Sequence, residues 1–219
     1  MLNSKSGLQL LLQGYCYTFI RMNFLAHAYL SFKEPGVLSG NMINDYVKGK
    51  KKFDYPLSIQ KGMTLHRAID TFTDQHEVTA QAKQFFRPQY RLYAGAFVDV
   101  LYDHFLANDT REFLTEGALN AFCQLTYASL QADVDLLPLK FQQVLPHMQL
   151  HNWLYNYRYK AGIEKSFIGL SRRAAYLSES AIAFAIFNEQ YDELQHCYNE
   201  FFPELKRFAF ETLSQLNNT

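Results

Sequence analysis

His66 and Asp70 stand four residues apart within Leu65, His66, Arg67, Ala68, Ile69 and Asp70, and Asp99 and Asp103 repeat that spacing downstream. On an α-helix, residues four apart differ by about 40° in direction, so each pair shares one face. A neutral imidazole and a carboxylate on one face can hold a divalent cation together, or one can orient the other. The Asp99 and Asp103 pair is surrounded by Phe97, Val98, Val100, Leu101, Phe105 and Leu106. Burying two like charges without a donor or cation is costly, and a bound cation would offset that penalty. Two helices carrying such pairs can converge on an oxygen- and imidazole-rich site, which suits Mn²⁺ or Mg²⁺ better than structural Zn²⁺.

Two further candidates lie upstream. His27 sits in an apolar segment, where a lone histidine reads either as a ligand or as a core residue, and Asp45 follows Gly40, Asn41, Met42, Ile43 and Asn44. Asp74 reads either as a catalytic acid or as a helix N-cap, with His76 then in the first turn. His147 and His151 are also four apart, but Trp153, Tyr155 and Tyr157 beside them fit ordinary aromatic packing. Lys48, Lys50, Lys51 and Lys52 form a basic run that is either a solvated loop or a docking patch for an acidic partner.

The elements that must position these residues read as helices, with no series of alternating strands. Loops are expected over 36–40 and 49–56, flanking a short helix over 41–48. A long helix is expected over 57–71, and Asp74, Gln75, His76 and Glu77 have capping-box spacing for a new helix to 86. Further helices are expected over 88–107, from a cap at Asp109 to 130, over 138–158, over 168–200 with a possible break, and over 203–217. Pro56, Pro88, Pro138 and Pro203 each precede an apolar-periodic stretch, where a first helical turn tolerates proline. A single all-α domain, a compact helical bundle over 22–217, is the economical architecture.

The chain's 219 residues, 48% hydrophobic and 16% aromatic, are enough to build one sizeable core. Its 21 basic and 21 acidic residues balance, unlike the basic excess of a nucleic-acid-coating protein. Cys16, Cys123 and Cys197 show no metal or disulfide spacing and fit reduced thiols of a cytoplasmic protein. No apolar run is long enough for a membrane span, and residues 1–21 fit a signal peptide poorly. That segment reads as an extension, with Met22 as an alternative start.

Five groups of residues occur in a telling order. They are Met22, Asn23, Phe24, Leu25, Ala26 and His27; Ser39, Gly40 and Asn41, with Asp45, Val47, Lys48 and Gly49; His66, Arg67, Ile69 and Asp70; Thr73 and Asp74; and Asp103, His104, Phe105 and Leu106. Later come Trp153, Leu154, Tyr157 and Arg158, then Ser171, Arg172 and Arg173. The set resembles the acyl carrier protein phosphodiesterase family over roughly 22–210. The resemblance implies hydrolysis of the phosphodiester joining 4′-phosphopantetheine to a serine of holo-acyl carrier protein. It further implies a divergent HD-type fold and a divalent metal, with manganese favoured over magnesium. The chain has no His-Asp dipeptide, and Asp103 and His104 run in the opposite order. An HD ligand set therefore does not transfer residue by residue.

On that reading the expected metal ligands are His27, Asp45, His66, Asp70, Asp99 and Asp103. His104, Arg67 and Asp74 are the expected catalytic groups, with His104 moving protons and Arg67 holding phosphate oxygens. Lys48, Lys50, Lys51, Lys52, Arg172 and Arg173 are expected to meet the acidic carrier protein. The competing readings are a helical phosphohydrolase of a small phosphoester and a non-catalytic carrier-binding module.

Overall fold

The computed structural model describes residues 23–173 and 179–218, with nothing but helices and short turns among them. The expected extension over 1–21, with Cys16, lies outside the described residues. So does the side chain of Arg173.

In chain order the helices are α1 (Phe24–Tyr29), α2 (Pro35–Ile43), α3 (Leu57–Gln75), α4 (Glu77–Tyr90), α5 (Ala94–Ala107) and α6 (Glu116–Ala132). There follow α7 (Leu139–Leu150), α8 (Trp153–Asn156), α9 (Lys160–Arg173), α10 (Ser180–Glu189) and α11 (Tyr191–Asn217). Short 3₁₀ turns at Asn44–Tyr46 and Gly49–Asp54 join α2 to α3.

The centre of the bundle is α5, whose residues from Ala96 through Ala107 are all buried. A helix buried on every side needs neighbours all round. Here α1, α4, α9 and α11 pack against it. Aromatic side chains fill the interior: Phe86 stacks on Phe97, Phe97 meets Phe167 edge-on, and Tyr102 stacks on Phe201.

Residues 36–40 are helical rather than a loop. Pro35 occupies the first turn of α2, where its missing N–H costs nothing. The glycines serve close packing instead. A Cβ on Gly40 would lie 2.0 Å from the Ile59 carbonyl oxygen, and one on Gly62 would lie 2.2 Å from that of Val37. Backbone contact between α2 and α3 therefore requires glycine on both sides.

Other boundaries also move. The helix expected over 41–48 ends at Ile43, and 3₁₀ turns replace the rest and the loop over 49–56. The helix expected to begin at Pro88 does not: α4 runs through Pro88 to Tyr90, and Arg91 breaks it at φ 48. Asp109 organises a tight turn by accepting from the Arg111 amide, but the next helix opens six residues later on Thr115, whose hydroxyl accepts from the Ala118 amide. The stretch over 138–158 breaks at Asn152, which has a left-handed backbone. α9 starts at Lys160, before the expected 168. Pro203 lies inside the continuous α11, where buried Phe201, Phe202 and Leu205 hold the helix together across the lost hydrogen bond.

Candidate metal centre

α1, α2 and α3 meet where α3 crosses α2 at the glycine contact, and they bring His27, His66 and Asp70 together. One potential ligand atom from each lies within 4.8 Å of the others. His27 Nε2 is 3.4 Å from Asp70 Oδ1, and His66 Nε2 is 3.4 Å from Asp70 Oδ2. Asp45, on the first 3₁₀ turn, places Oδ1 3.3 Å from His66 Nε2. The two imidazoles stack, 4.0 Å between centroids and 13° between planes.

Exposure grades outward. His27 and His66 are 2% and 5% exposed, whereas the side chains of Asp70 and Asp45 are 19% and 33% exposed. The site is a pit with an imidazole floor and a carboxylate rim.

Hydrogen bonding behind the rings decides which nitrogens face the pit. His66 Nδ1 is 2.7 Å from the Asn41 backbone oxygen, which can only accept, so Nδ1 carries hydrogen. His27 Nδ1 is 2.7 Å from Asn41 Oδ1. In both rings Nε2 is then the nitrogen with the free lone pair when the ring is neutral. Both Nε2 atoms are buried, and their approaches to the carboxylates fall outside hydrogen-bond geometry. Two buried lone pairs this close to carboxylate oxygens are repelled by them, unless a proton or a cation lies between. A divalent cation fits this donor set of two imidazole nitrogens and carboxylate oxygens.

The same charges tune ionisation. Burial disfavours charge on His66, but the carboxylates of Asp45 and Asp70 override it and raise its pKa to about 9. Burial, and then the neighbouring His66, lower that of His27. Burial works against the Asp70 carboxylate, yet contacts with His27 and His66 hold its pKa well below the usual range. Asp45 is lowered in the same way by His66.

Arg67, exposed on α3, donates from Nε to Asn44 Oδ1 at 3.1 Å, and Asn44 donates in turn to Asp45 Oδ1 at 3.3 Å. A guanidinium is thereby held beside the carboxylate rim. Lys48, Lys50 and Lys51 are exposed immediately beyond that turn, while Lys52 rests over the Phe53 ring at 4.9 Å.

The structure does not bring the second acid pair into this cluster. Asp103 is fully buried, and its two oxygens accept from the Leu25 and Ala26 amides at 3.0 and 2.8 Å. Those are first-turn donors of α1, so α5 caps the helix that carries His27. Burial pushes the Asp103 acid well up, against the pull of the two amides, and Asp99 nearby adds to the rise. Asp99 is buried one turn earlier on the same helix.

His104 faces another way. Its Nδ1 lies 2.7 Å from the Tyr157 carbonyl oxygen and its Nε2 3.2 Å from the Tyr191 hydroxyl, with Phe187 edge-on. Burial lowers its pKa. None of these partners belongs to the metal cluster. The later motif serves this region: Leu154 donates its amide to the Tyr127 hydroxyl, and Arg158 pairs with Glu116 at 2.5 Å.

Asp74 is not an N-cap. It is exposed in the last turn of α3 and pairs with Lys83 at 3.0 Å, while His76 caps α4 by accepting from the Val78 amide. Arg172 is exposed near the end of α9, and His147 and His151 are exposed on and just after α7. Asn41, central to the cluster, belongs to the Ser39, Gly40 and Asn41 motif but carries no expected role from sequence. A second signal is its amide inside the apolar run Val37 to Ile43, a position that must find buried partners.

The acyl carrier protein phosphodiesterase family model matches residues 22–205. Proteins of that name from Klebsiella pneumoniae subsp. pneumoniae and Photorhabdus laumondii are each 30% identical over 86% of this chain, covering 97% and 95% of their own lengths. The Yersinia pestis protein of that name is 29% identical over 86% of this chain and 97% of its own. No solved structure matches the chain. The chain belongs to the acyl carrier protein phosphodiesterase family.

Proposed function

We propose that this protein is a metal-dependent phosphodiesterase that releases 4′-phosphopantetheine from holo-acyl carrier protein, leaving the apo-carrier. The observation that carries the reading is the pair of buried, hydrogen-bond-free Nε2 atoms converging with the carboxylates of Asp70 and Asp45. The names of the relatives supply the substrate class. An all-helical bundle with a histidine and aspartate cluster also supports a distant relationship to HD-type phosphohydrolases.

His27, His66 and Asp70 would hold the cation, with Asp45 as a further ligand. Mn²⁺ suits this mixture, and Mg²⁺ is the alternative. A cation held there would supply Lewis acidity for acidifying water and neutralising phosphate charge. The chain's own residues do the rest. Arg67, steadied by Asn44, presents a planar donor set to non-bridging phosphate oxygens at the rim. Lys48, Lys50, Lys51 and Lys52, following the Asp45 turn, attract the acidic carrier and orient its modified serine toward the pit. Arg172 and Arg173 are a second candidate contact. Asp103 fixes the first turn of α1 and so the position of His27. His104, packed between α8, α10 and α11, supports the bundle, and Asp74 stays at the end of the ligand helix. The proton for the leaving serine oxygen would come from water at the half-exposed rim, since Asp45 and Asp70 are both held ionised.

No described helix is long and apolar enough to cross a membrane. A cytoplasmic enzyme meeting a freely diffusing carrier fits that. The test is incubation with holo-acyl carrier protein, with and without Mn²⁺, followed by intact mass. Metal-dependent loss of the phosphopantetheine mass is expected. No loss from folded, metal-replete protein would contradict the reading and favour a small phosphoester as substrate.

A further inference from the structure

Asn41 is fully buried and touches both histidines of the pit through different atoms. Its backbone oxygen accepts from His66 Nδ1, and its side-chain oxygen accepts from His27 Nδ1. Its amide nitrogen donates to the His27 carbonyl oxygen at 2.8 Å and to Ser31 Oγ at 3.1 Å, and Ser31 Oγ itself donates to that carbonyl at 2.8 Å. These two acceptors fix the orientation of the amide. Flipped, it would set its oxygen against the His27 carbonyl oxygen, two acceptors with no hydrogen between them. The orientation seen therefore requires hydrogen on His27 Nδ1.

That requirement opposes the local preference of the ring. A neutral imidazole left to itself favours hydrogen on Nε2, and in His27 that hydrogen would lie beside the Asp70 carboxylate, 3.4 Å from the nitrogen. In that tautomer the nitrogen facing the pit has no lone pair for a cation.

We propose that Asn41 is the positioning residue for metal capture, holding His27 in the tautomer that presents a free Nε2 lone pair while its backbone oxygen does the same for His66. This rests on the metal-dependent reading above. The Gly40 and Gly62 contact lets one residue serve both rings, because it brings the Asn41 backbone within reach of α3. The two halves of the device separate on mutation. Asn41→Ala removes the oxygen that serves His27 and leaves the carbonyl that serves His66.

The experiment is Mn²⁺ titration of the full chain, followed by electron paramagnetic resonance, for wild type, Asn41→Ala, His27→Ala and the double variant. Long-range ¹H–¹⁵N correlation spectra of the metal-free wild type and Asn41→Ala report which ring nitrogen carries hydrogen. Loss of such an outer partner typically weakens metal affinity roughly 10–100-fold, and that is the loss expected for Asn41→Ala. In the His27→Ala background the same substitution should add little, since its target ring is gone. The spectra should show the His27 hydrogen on Nδ1 in wild type and on Nε2 in Asn41→Ala. Three results would overturn the proposal: affinity of Asn41→Ala within about twofold of wild type, an undiminished effect in the His27→Ala background, or wild-type His27 with hydrogen on Nε2. A folded wild type that binds no Mn²⁺ contradicts the metal reading instead, and the spectra then decide on Asn41 alone. If Asn41→Ala does not fold, Asn41→Asp keeps an oxygen acceptor for His27 and should retain Nδ1–H. Hydrogen on Nε2 in that variant counts against the proposal.

Discussion

His66 is the residue whose protonation is most coupled to its surroundings. Its pKa, about 9, lies above the ordinary 6.5 because Asp45 and Asp70 outweigh burial. The stabilisation from the protonated ring in metal-free protein is therefore complete below about pH 6.5 and lost as pH rises through about 9. Over that window the melting temperature of metal-free protein should fall, by the equivalent of on the order of 3 kcal/mol. The fall should be absent in His66→Asn, and thermal melts across the pH series check it. At this scale the sequence was partly legible. The four-residue spacing of His66 and Asp70 said they share a face, and the structure puts them together in the pit. Asp99 and Asp103 have the same spacing, but spacing does not say what the face meets. In this bundle α5 is covered on all sides, and the Asp103 carboxylate is taken up by two amides of α1. Asn41 stands in the Ser39, Gly40 and Asn41 motif, but its role is not legible there, because a lone amide in an apolar run has no periodic partner to announce it.

The pit exists because α2 and α3 approach to backbone contact. Gly62→Ala would put a Cβ 2.2 Å from the Val37 carbonyl oxygen, and neither helix backbone can yield locally. Such overpacking costs about 1–3 kcal/mol, and the two helices must separate to relieve it. Gly62→Ala should therefore lower both the melting temperature and Mn²⁺ affinity, because the ligands come from both sides of the seam. Surface substitution at exposed Thr64 on α3 should leave both unchanged. Unaltered metal affinity in Gly62→Ala would contradict the dependence of the site on this crossing. From sequence alone the glycines of α2 read as a loop, because glycine weakens an isolated helix. Their use here is tertiary, and local propensity carries no record of a partner helix. The continuous α11 through Pro203 is a second case, since its buried aromatic face compensates for a break that proline would cause alone.

At the level of the whole molecule, the all-helical class and single bundle followed from periodicity, and the ordered motifs pointed to the family. Motif order survives where individual boundaries shift, because it records which residues meet. Net charge is zero, so long-range attraction to an acidic carrier must come from a local patch. The lysines beyond the Asp45 turn are the proposed patch, and replacing Lys50, Lys51 and Lys52 with alanine should raise KM for the carrier more than it lowers kcat. Its rate should also depend less on salt than that of the wild type. Steady-state kinetics at several ionic strengths test this, and an unchanged KM would remove the patch from the docking surface. The most direct measurement is intact mass of holo-acyl carrier protein after incubation with the protein and Mn²⁺, beside the same reaction with Asp70→Ala. Loss of the phosphopantetheine mass with wild type, but not with a folded Asp70→Ala or without metal, is the expected result. Equal turnover by Asp70→Ala, or an unaltered carrier with metal-replete wild type, would contradict it.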